Sequence, residues 1–186
     1  DFLLKQNIKI LFGVFFLIFV DGISFSQQIG DVLYGGYIVE ISEDQKSGLV
    51  CALNDIQSDN EYEWGCSNLT VANETAIGTG LQNTLDIVNQ GCSTDNGDIT
   101  AAQSALDFVS ETYDDWYLPS LEELELAWHT LGPLANNIGG FIDEAGQSQA
   151  PAYWSSSDQS DEKAYAVKFT ESFTDINDAI ANRNKN

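Results

Sequence analysis

Catalytic side chains are scarce in this 186-residue sequence, although carboxylates are abundant. His129 is the only histidine, and it lies in a helical pattern beside Trp128, with no serine elbow that would complete a Ser/His/Asp set. Adjacent carboxylates such as Asp114 and Asp115 carry little information about acid–base catalysis in a chain with 29 Asp and Glu residues. The residues therefore predict a protein that is not an enzyme and needs no cofactor.

Two acidic stretches supply the oxygen ligands that Ca²⁺ prefers, at residues 55–61 and 95–98. Neither stretch has the ligand spacing and the terminal Glu of an EF-hand loop. The three cysteines and the single histidine do not have zinc-site spacing. Solvated acidic loops are the favoured interpretation, and no metal site is predicted.

Four tryptophans are candidates for stacking on a sugar face or anchoring a protein interface. Trp116 and Trp154 lie in motifs typical of a folded core, and Trp128 lies on the apolar stripe of a helix. Trp64, in the loop-like sequence before Cys66, is the least constrained of the four. It is the aromatic residue that we predict to contact a ligand.

Hydroxyl and carboxylate groups follow Trp154 in the order Ser155, Ser156, Ser157 and Asp158. The pattern indicates a short strand over residues 152–157 that runs into a hydroxyl-rich turn, followed by an exposed loop. We therefore predict a ligand groove for a glycan or a protein. Its predicted ligand-binding residues are Trp64, Ser155, Ser156 and Asp158.

The strongest local structural signal is the stretch from Asp115 to Leu124. Trp116 to Leu118 have the pattern of a buried extended segment, and Pro119 ends it. Ser120 is a helix N-cap, and Glu123 three residues later completes a capping box. The apolar stripe beyond it predicts an amphipathic helix as far as Leu131.

Other segments predict a mixed α+β domain. Residues 32–41 and 48–53 have strand patterns that suggest a hairpin, with Gly35 and Gly36 marking a bulge or a close backbone approach. After Gly80, Leu81, Leu85 and Val88 have helical spacing. A second helix is predicted over residues 101–112 behind a Thr100 cap, with Val109 expected inward. Residues 164–169 alternate like a strand, and no closing element is evident in residues 170–186.

The first 26 residues have the features of a secretory signal peptide. Lys5 and Lys9 precede an apolar run over residues 10–20 that is short for a membrane span. A retained membrane anchor or a core helix is the alternative interpretation. The prediction is a signal peptide over 1–26, cleaved after Ser26, and one exported domain over 27–186 with no stable membrane span.

Export into an oxidising compartment makes the three cysteines informative. Cys51 lies in an apolar run and is expected to be a small buried side chain. Cys66 and Cys92 each follow a glycine in loop-like sequence, and they are the favoured disulfide pair.

The charge of the chain restricts its partners. Seven Lys and Arg against 29 Asp and Glu give a formal net charge of −22. Such a chain repels phosphates and anionic headgroups, which excludes nucleic acid, and it also disfavours sulfated glycans.

An ordered set of short motifs resembles a known family. The motifs are Gly48-Leu-Val, Trp64-Gly65-Cys66, Ala76-Ile77-Gly78-Thr79-Gly80 with Asn83-Thr84, Gly91-Cys92, Asp115-Trp116-Tyr117-Leu118-Pro119-Ser120 with Glu122-Glu123-Leu124, and Tyr153-Trp154-Ser155-Ser156. In this order they are similar to the Lcl C-terminal domain family, a domain of unknown function in secreted bacterial proteins. The resemblance implies a C-type-lectin-like fold with small antiparallel sheets and two or three helices, a fold shared with formylglycine-generating enzymes.

Two departures limit what the resemblance implies. Members of the family end in a closing strand, and this sequence stops at Arg183-Asn-Lys-Asn186, where that strand would begin, so the closing strand is expected to be missing. The named member, a bacterial adhesin, binds sulfated glycosaminoglycans, a ligand that an acidic chain does not favour. The sequence thus predicts a secreted or cell-surface bacterial binding module for adhesion or recognition. The alternatives are an enzyme related to the formylglycine-generating fold and a structural envelope protein.

Overall fold

The described part of the chain forms two antiparallel sheets and three short α-helices. In the computed structural model the described residues are 4–6, 27–56, 62–66, 69, 71–92, 94, 95, 97–139, 152–169 and 180–182. The apolar run of the predicted leader, its cleavage site at Ser26 and the C-terminal residues 183–186 lie outside them. The strands are β1 (Leu4–Gln6), β2 (Val32–Leu33), β3 (Gly36–Ile41), β4 (Gly48–Ala52), β5 (Trp116–Tyr117), β6 (Ala152–Ser160), β7 (Lys163–Lys168) and β8 (Ile180–Asn182). The helices are α1 (Gly80–Asn89), α2 (Ala101–Leu106) and α3 (Leu121–Leu131), with a 3₁₀ turn at Pro133–Ala135.

The first sheet has the order β2-β3-β4-β1-β5, and each neighbouring pair is antiparallel. Tyr34 and Gly35 have φ angles of 57° and 80°, so they form the two-residue type I′ turn that matches strand twist in a hairpin. A Cβ on Gly36 would collide with the backbone of Cys51 on β4. The predicted hairpin of β3 and β4 is confirmed, with the close backbone approach at Gly36.

The second sheet has the order β6-β7-β8. The strand predicted over residues 152–157 is present, but β6 continues to Ser160 and Asp158 is buried, so the prediction that a turn and an exposed loop begin there is wrong. The strand persists because it pairs with β7 through irregular register shifts and because its side chains are buried. Residues 180–182 pair with β7, although the sequence suggested no element in this region.

Two helices differ from the sequence patterns. α2 stops at Leu106, capped by the backbone of Asp107, and Val109 is 59% exposed where the pattern placed it inward. In α1 the buried side chains are Asn83, Thr84 and Ile87, whereas Leu81, Leu85 and Val88 are only half-buried. Hydrogen bonds described below let polar residues occupy this inner face.

The Ser120 capping box of α3 is confirmed, with Leu121, Leu124, Trp128 and Leu131 buried. The first sheet separates two apolar clusters. Leu49 and Cys51 of β4 contribute to one cluster together with Trp128 of α3, and Val50 contributes to the other together with Trp64. The α+β class with small antiparallel sheets and three helices is thus confirmed.

Candidate functional site

The four predicted ligand residues lie in the interior. Trp64, Ser155 and Ser156 are 0% exposed, and Asp158 is 4% exposed. Ligand binding by these side chains stays a prediction, and it would require the interior to open. Trp116 and Trp154, expected in the core, are 0% and 8% exposed.

Trp64 and Trp154 tie one extended segment to β6. The Trp64 Nε1–H donates to the carbonyl of Ser155 at 2.8 Å. In the opposite direction, the Trp154 Nε1–H donates to the carbonyl of Tyr62, also at 2.8 Å. Each buried indole therefore satisfies a backbone carbonyl of the other segment while its ring fills the core.

The disulfide between Cys66 and Cys92 is confirmed. It joins the segment that carries Trp64 to the turn that follows α1, across 26 residues of sequence, with the two Cα atoms 4.6 Å apart. Cys51 is a free, buried cysteine, as expected. A disulfide of this kind is compatible with an extracellular protein.

The serines of β6 hold segments that are distant in sequence. Ser155 Oγ donates to the carbonyl of Tyr165 on β7 at 3.0 Å. The Ser156 N–H donates to the carbonyl of Pro119 at 2.6 Å, just before α3 begins. Ser157 Oγ donates to the carbonyl of Glu74 at 2.6 Å and accepts from the N–H of Leu121 at 3.1 Å. The run is therefore a bridge between β7, the start of α3 and the loop before α1.

Residues 71–79, here called the 71–79 loop, accept the Ser157 bond and receive further hydrogen bonds from β6 and α1. Asp158 Oδ2 accepts from the N–H groups of Val71 at 2.7 Å and Ala72 at 3.0 Å. Asn83 Nδ2 joins Ser157 at the carbonyl of Glu74, at 2.6 Å. Buried side chains of β6 and α1 thus fix the first half of this loop from below.

The start of α3 fixes the second half of the 71–79 loop. The Glu122 N–H donates to the carbonyl of Thr75 at 3.0 Å, and Ser120 Oγ donates to that of Ala76 at 2.9 Å. The Glu123 carboxylate accepts from the Gly78 N–H at 2.8 Å. The loop backbone is therefore bonded at both ends and in the middle.

Glu123 is the most buried carboxylate in this arrangement, with 0% exposure. Besides Gly78, its oxygens accept from the Ser120 N–H at 2.8 Å and the Tyr117 hydroxyl at 3.3 Å. Burial raises the pKa of Glu123, and the hydrogen bonds from Ser120 and Gly78 oppose that shift. Burial and the adjacent Glu123 carboxylate raise the pKa of Tyr117.

Gly80, at the start of α1, leaves the space that Glu123 occupies. A Cβ at this position would collide with the Glu123 carboxylate and would lie 2.7 Å from the backbone nitrogen of Ser120. The first turns of α1 and α3 therefore approach each other closely at this carboxylate. Both helix N-termini favour a negative charge there.

Outside this arrangement, one cluster joins a thiol, a phenol and a carboxylate. The Tyr153 hydroxyl donates to Asp55 Oδ2 at 3.3 Å. Burial, followed by the charge of Asp55, raises the pKa of both the Cys51 thiol and the Tyr153 hydroxyl. At neutral pH both groups keep their protons, so neither is an activated nucleophile in this state.

The 71–79 loop exposes several side chains to solvent, although its backbone is hydrogen-bonded to the interior. Asn73, Glu74 and Ala76 are exposed, and Ile77 is 45% exposed. The sequence missed this site, although Gly78 and Gly80 with Asn83 and Thr84 marked the region. The indication in the sequence was that Asn83 and Thr84 lie within a helical segment, because polar side chains on the inner face of a helix need hydrogen-bond partners.

A second apolar surface lies at the edge of the first sheet. Ile29, Val32 and Leu33 are 44%, 54% and 40% exposed, and Ile138, which packs against Gly30, is 42% exposed. These four residues are called the β2 edge. The sequence pattern predicted that Val32 and Leu33 belong to a strand, but it did not indicate that this strand lies at the edge of the sheet.

Among the described residues, no three His, Cys, Asp or Glu side chains gather closely enough to hold a metal ion. In that same part of the chain, no helix has the length and apolarity needed to cross a membrane.

Comparison with known proteins identifies no relative: the chain matches no family model, no curated protein and no solved structure.

Proposed function

We propose that this protein is a secreted, non-catalytic binding module that recognises a protein ligand through the 71–79 loop. The observation that carries the proposal is the convergence of buried polar side chains on this one surface loop. Asp158, Ser157 and Glu123 each bond its backbone, while Ile77 remains exposed. A contact surface whose backbone is already ordered loses little conformational entropy on binding.

A protein ligand is favoured over a glycan by the types of side chain at the surface. Every large apolar side chain that is exposed among the described residues is Ile, Leu or Val. Stacking on a sugar face uses aromatic rings, and the four tryptophans have theirs in the core. Aliphatic side chains such as Ile77 instead suit an apolar pocket on a partner protein.

Several properties support an extracellular setting. The Cys66–Cys92 disulfide is typical of oxidising compartments, and the leader pattern of residues 1–26 supports export. The net charge of −22 favours a partner surface with basic residues around its apolar centre. We infer a location outside the bacterial cytoplasm, secreted or at the cell surface. The resemblance to the Lcl C-terminal domain family and its C-type-lectin-like fold supports this role but not its glycosaminoglycan ligand.

Parallel screens of a displayed random-peptide library and a glycan array would test the proposal. The wild-type protein is expected to enrich peptides with apolar and basic residues, with no loss of binding when a chelator is present. The Ile77→Asp variant is expected to bind at least about tenfold more weakly, because a central apolar contact is lost.

The matched control is Val32→Asp, which places the same charge at an exposed apolar position on the β2 edge. It should fold normally and keep the affinity of the wild type. Equal weakening by both variants, or binding only to glycans, would contradict recognition by the loop.

A further inference from the structure

An interior position of the first sheet is filled by β1, which precedes the apolar run of the predicted leader. β4 and β5 are not neighbours, because β1 lies between them and is antiparallel to both. Leu4 is in register with Cys51 and Tyr117, and Lys5 is in register with Val50 and Trp116. With neighbouring strands about 4.8 Å apart, β4 and β5 are separated by two spacings, too far to bond each other.

The strands on both sides of this gap are deeply buried. Val50, Cys51, Trp116 and Tyr117 are each 1% exposed or less. Among the described strands, β1 is the only one that pairs with β5. If β1 leaves, backbone N–H and C=O groups on two buried strands lose their partners, which is a strongly unfavourable state.

β1 belongs to the segment that the sequence predicts to be removed. Residues 4–6 precede the apolar run, and the predicted cleavage follows Ser26. Export would therefore separate this interior strand from the domain whose sheet it completes.

We propose that the gap between β4 and β5 is a strand-acceptor site, filled by β1 before the leader is cut and afterwards by an extended segment of another protein that lies antiparallel to both flanking strands. The inference depends on cleavage after Ser26, and it concerns a surface distinct from the 71–79 loop. The recognition is of the β-augmentation type, in which main-chain hydrogen bonds supply affinity and the faces of the sheet supply specificity.

The two faces of the gap define the chemistry of the incoming segment. Opposed residues of an antiparallel pair share a face of the sheet. A residue opposite Cys51 and Tyr117 faces the first apolar cluster, and the next residue, opposite Val50 and Trp116, faces the second. The third residue, opposite Leu49, faces the first cluster again, so the segment needs three consecutive apolar residues.

The leader sequence does not provide the apolar residue that the position opposite Val50 and Trp116 favours. Lys5 stands in register with Val50 and Trp116, which are buried, and lysine is among the residues least suited to a buried position. An apolar residue in the same register should bind more tightly, so a partner strand can replace the leader.

Charge indicates what should follow these apolar positions. The position after Lys5 is in register with Leu49, which is 3% exposed, so it should also be apolar. Continuing the antiparallel register one residue further brings the segment beside Asp114, which is exposed, and a basic residue there would be favoured. A second processed copy of this chain is a poor donor, because it has lost its own β1 and carries the same negative charge.

The test uses the full chain with a specific protease site between Ser26 and Gln27, folded first and then cut. Three peptides of residues 1–9 serve as probes: the natural sequence, Lys5→Val and Lys5→Pro. Binding is measured by calorimetry, and hydrogen exchange follows the amides of Leu49, Cys51 and Tyr117.

The cut chain is expected to bind Lys5→Val with one-to-one stoichiometry and about tenfold more tightly than the natural peptide, because an apolar side chain replaces lysine in a buried register. Lys5→Pro should not bind, because proline cannot occupy a central strand. The uncut chain should bind none of the peptides, because β1 occupies the gap. Bound peptide should slow exchange on both β4 and β5.

Four results would overturn the proposal. They are a leader fragment that excess Lys5→Val cannot displace, β4 and β5 amides that stay protected without a leader or peptide, a dimer of cut chains that fills the gap, and a cut chain that unfolds and is not restored by Lys5→Val. The Ile77→Asp variant should still bind this peptide normally. The two surfaces therefore succeed or fail separately.

Discussion

The 71–79 loop and the β2 edge are both exposed surfaces with aliphatic side chains, but they are held in different ways. The loop is bonded through side chains from beneath, including Asp158 and Ser157 of β6 and Glu123 of α3. The β2 edge is held by a short backbone ladder to β3, including the bond from the Ile38 N–H to the Asp31 carbonyl at 2.9 Å.

This difference shows where a substitution propagates. A change in the interior beneath the loop releases backbone groups several elements away, because each buried side chain there bonds a distant segment. A change on the β2 edge alters only a solvent-facing side chain. Variants should therefore separate the two regions by their effect on stability.

Loss of the Trp64 ring should have the largest effect. Trp64→Ala removes a buried side chain and leaves the Ser155 carbonyl without its indole donor, so unfolding should become easier by about 3–5 kcal/mol. Trp64→Phe keeps most of the ring and should lose about 1–2 kcal/mol, as expected for the hydrogen bond alone. Urea denaturation followed by circular dichroism measures both. A Trp64→Ala change below about 1 kcal/mol would show that β6 is not held from this side.

Removal of the disulfide should come next. Cys92→Ser opens a loop of 26 residues, and the chain-entropy estimate for that loop is about 3.5 kcal/mol. The wild type under reducing conditions should show the same loss, whereas Cys92→Ser should be insensitive to reductant. Because the bridge anchors α1, hydrogen exchange at Gly78 should accelerate more than exchange at Gly30 on the β2 edge. Equal acceleration at both amides would remove the distinction between the regions.

Glu123→Gln should have an intermediate effect that depends on pH. The amide group of Gln would direct N–H donors at the N–H groups of Gly78 or Ser120, so we expect a loss of about 1–3 kcal/mol. Burial raises the native pKa of Glu123 above the ordinary value of 4.5. The stabilisation that protonated Glu123 gives the folded state is therefore fully present below pH 4.5, and it is lost as the pH rises through the native pKa.

The difference in the free energy of unfolding between the wild type and Glu123→Gln should accordingly become smaller as the pH rises. Denaturation at a series of pH values measures this difference. Glu122→Gln, at the neighbouring exposed position in the same helical turn, is the matched control for loss of one carboxylate. A difference that grows with pH would mean that the carboxylate is stabilised, not penalised, by its surroundings.

The smallest effects should distinguish one loop tether from the edge itself. Ser157→Ala removes the donor to Glu74 and the acceptor for Leu121, which should cost about 1–2 kcal/mol and loosen the loop. Val32→Thr, at an exposed strand position, should change stability by no more than about 0.5 kcal/mol. Thermal denaturation compares the two, and a larger loss for Val32→Thr would reverse the proposed contrast.

Local rules predicted some elements well. Ser120 and Glu123 lie three residues apart before an apolar stripe, which is sufficient to define the start of α3, because a capping box is made within four residues. The Cys66–Cys92 pair was also predicted, since only three cysteines had to be assigned. By contrast, the apolar periodicity of α1 did not indicate that Asn83 and Thr84 are buried, because it counts apolar residues and ignores the hydrogen-bond partners available to polar ones.

The sequence by itself determined the class of the fold, the cap of α3, the disulfide, the burial of Trp116 and Trp154, and the acidic charge. These follow from composition and from interactions between near neighbours. Only the tertiary structure decided that the serines after Trp154 are interior tethers and that β2 lies at an edge. The physical reason is that a hydroxyl or a carboxylate bonds water as well as it bonds a buried backbone partner. The loop partners of Ser157 and Asp158, which are Glu74 and Val71, lie more than 80 residues away along the chain.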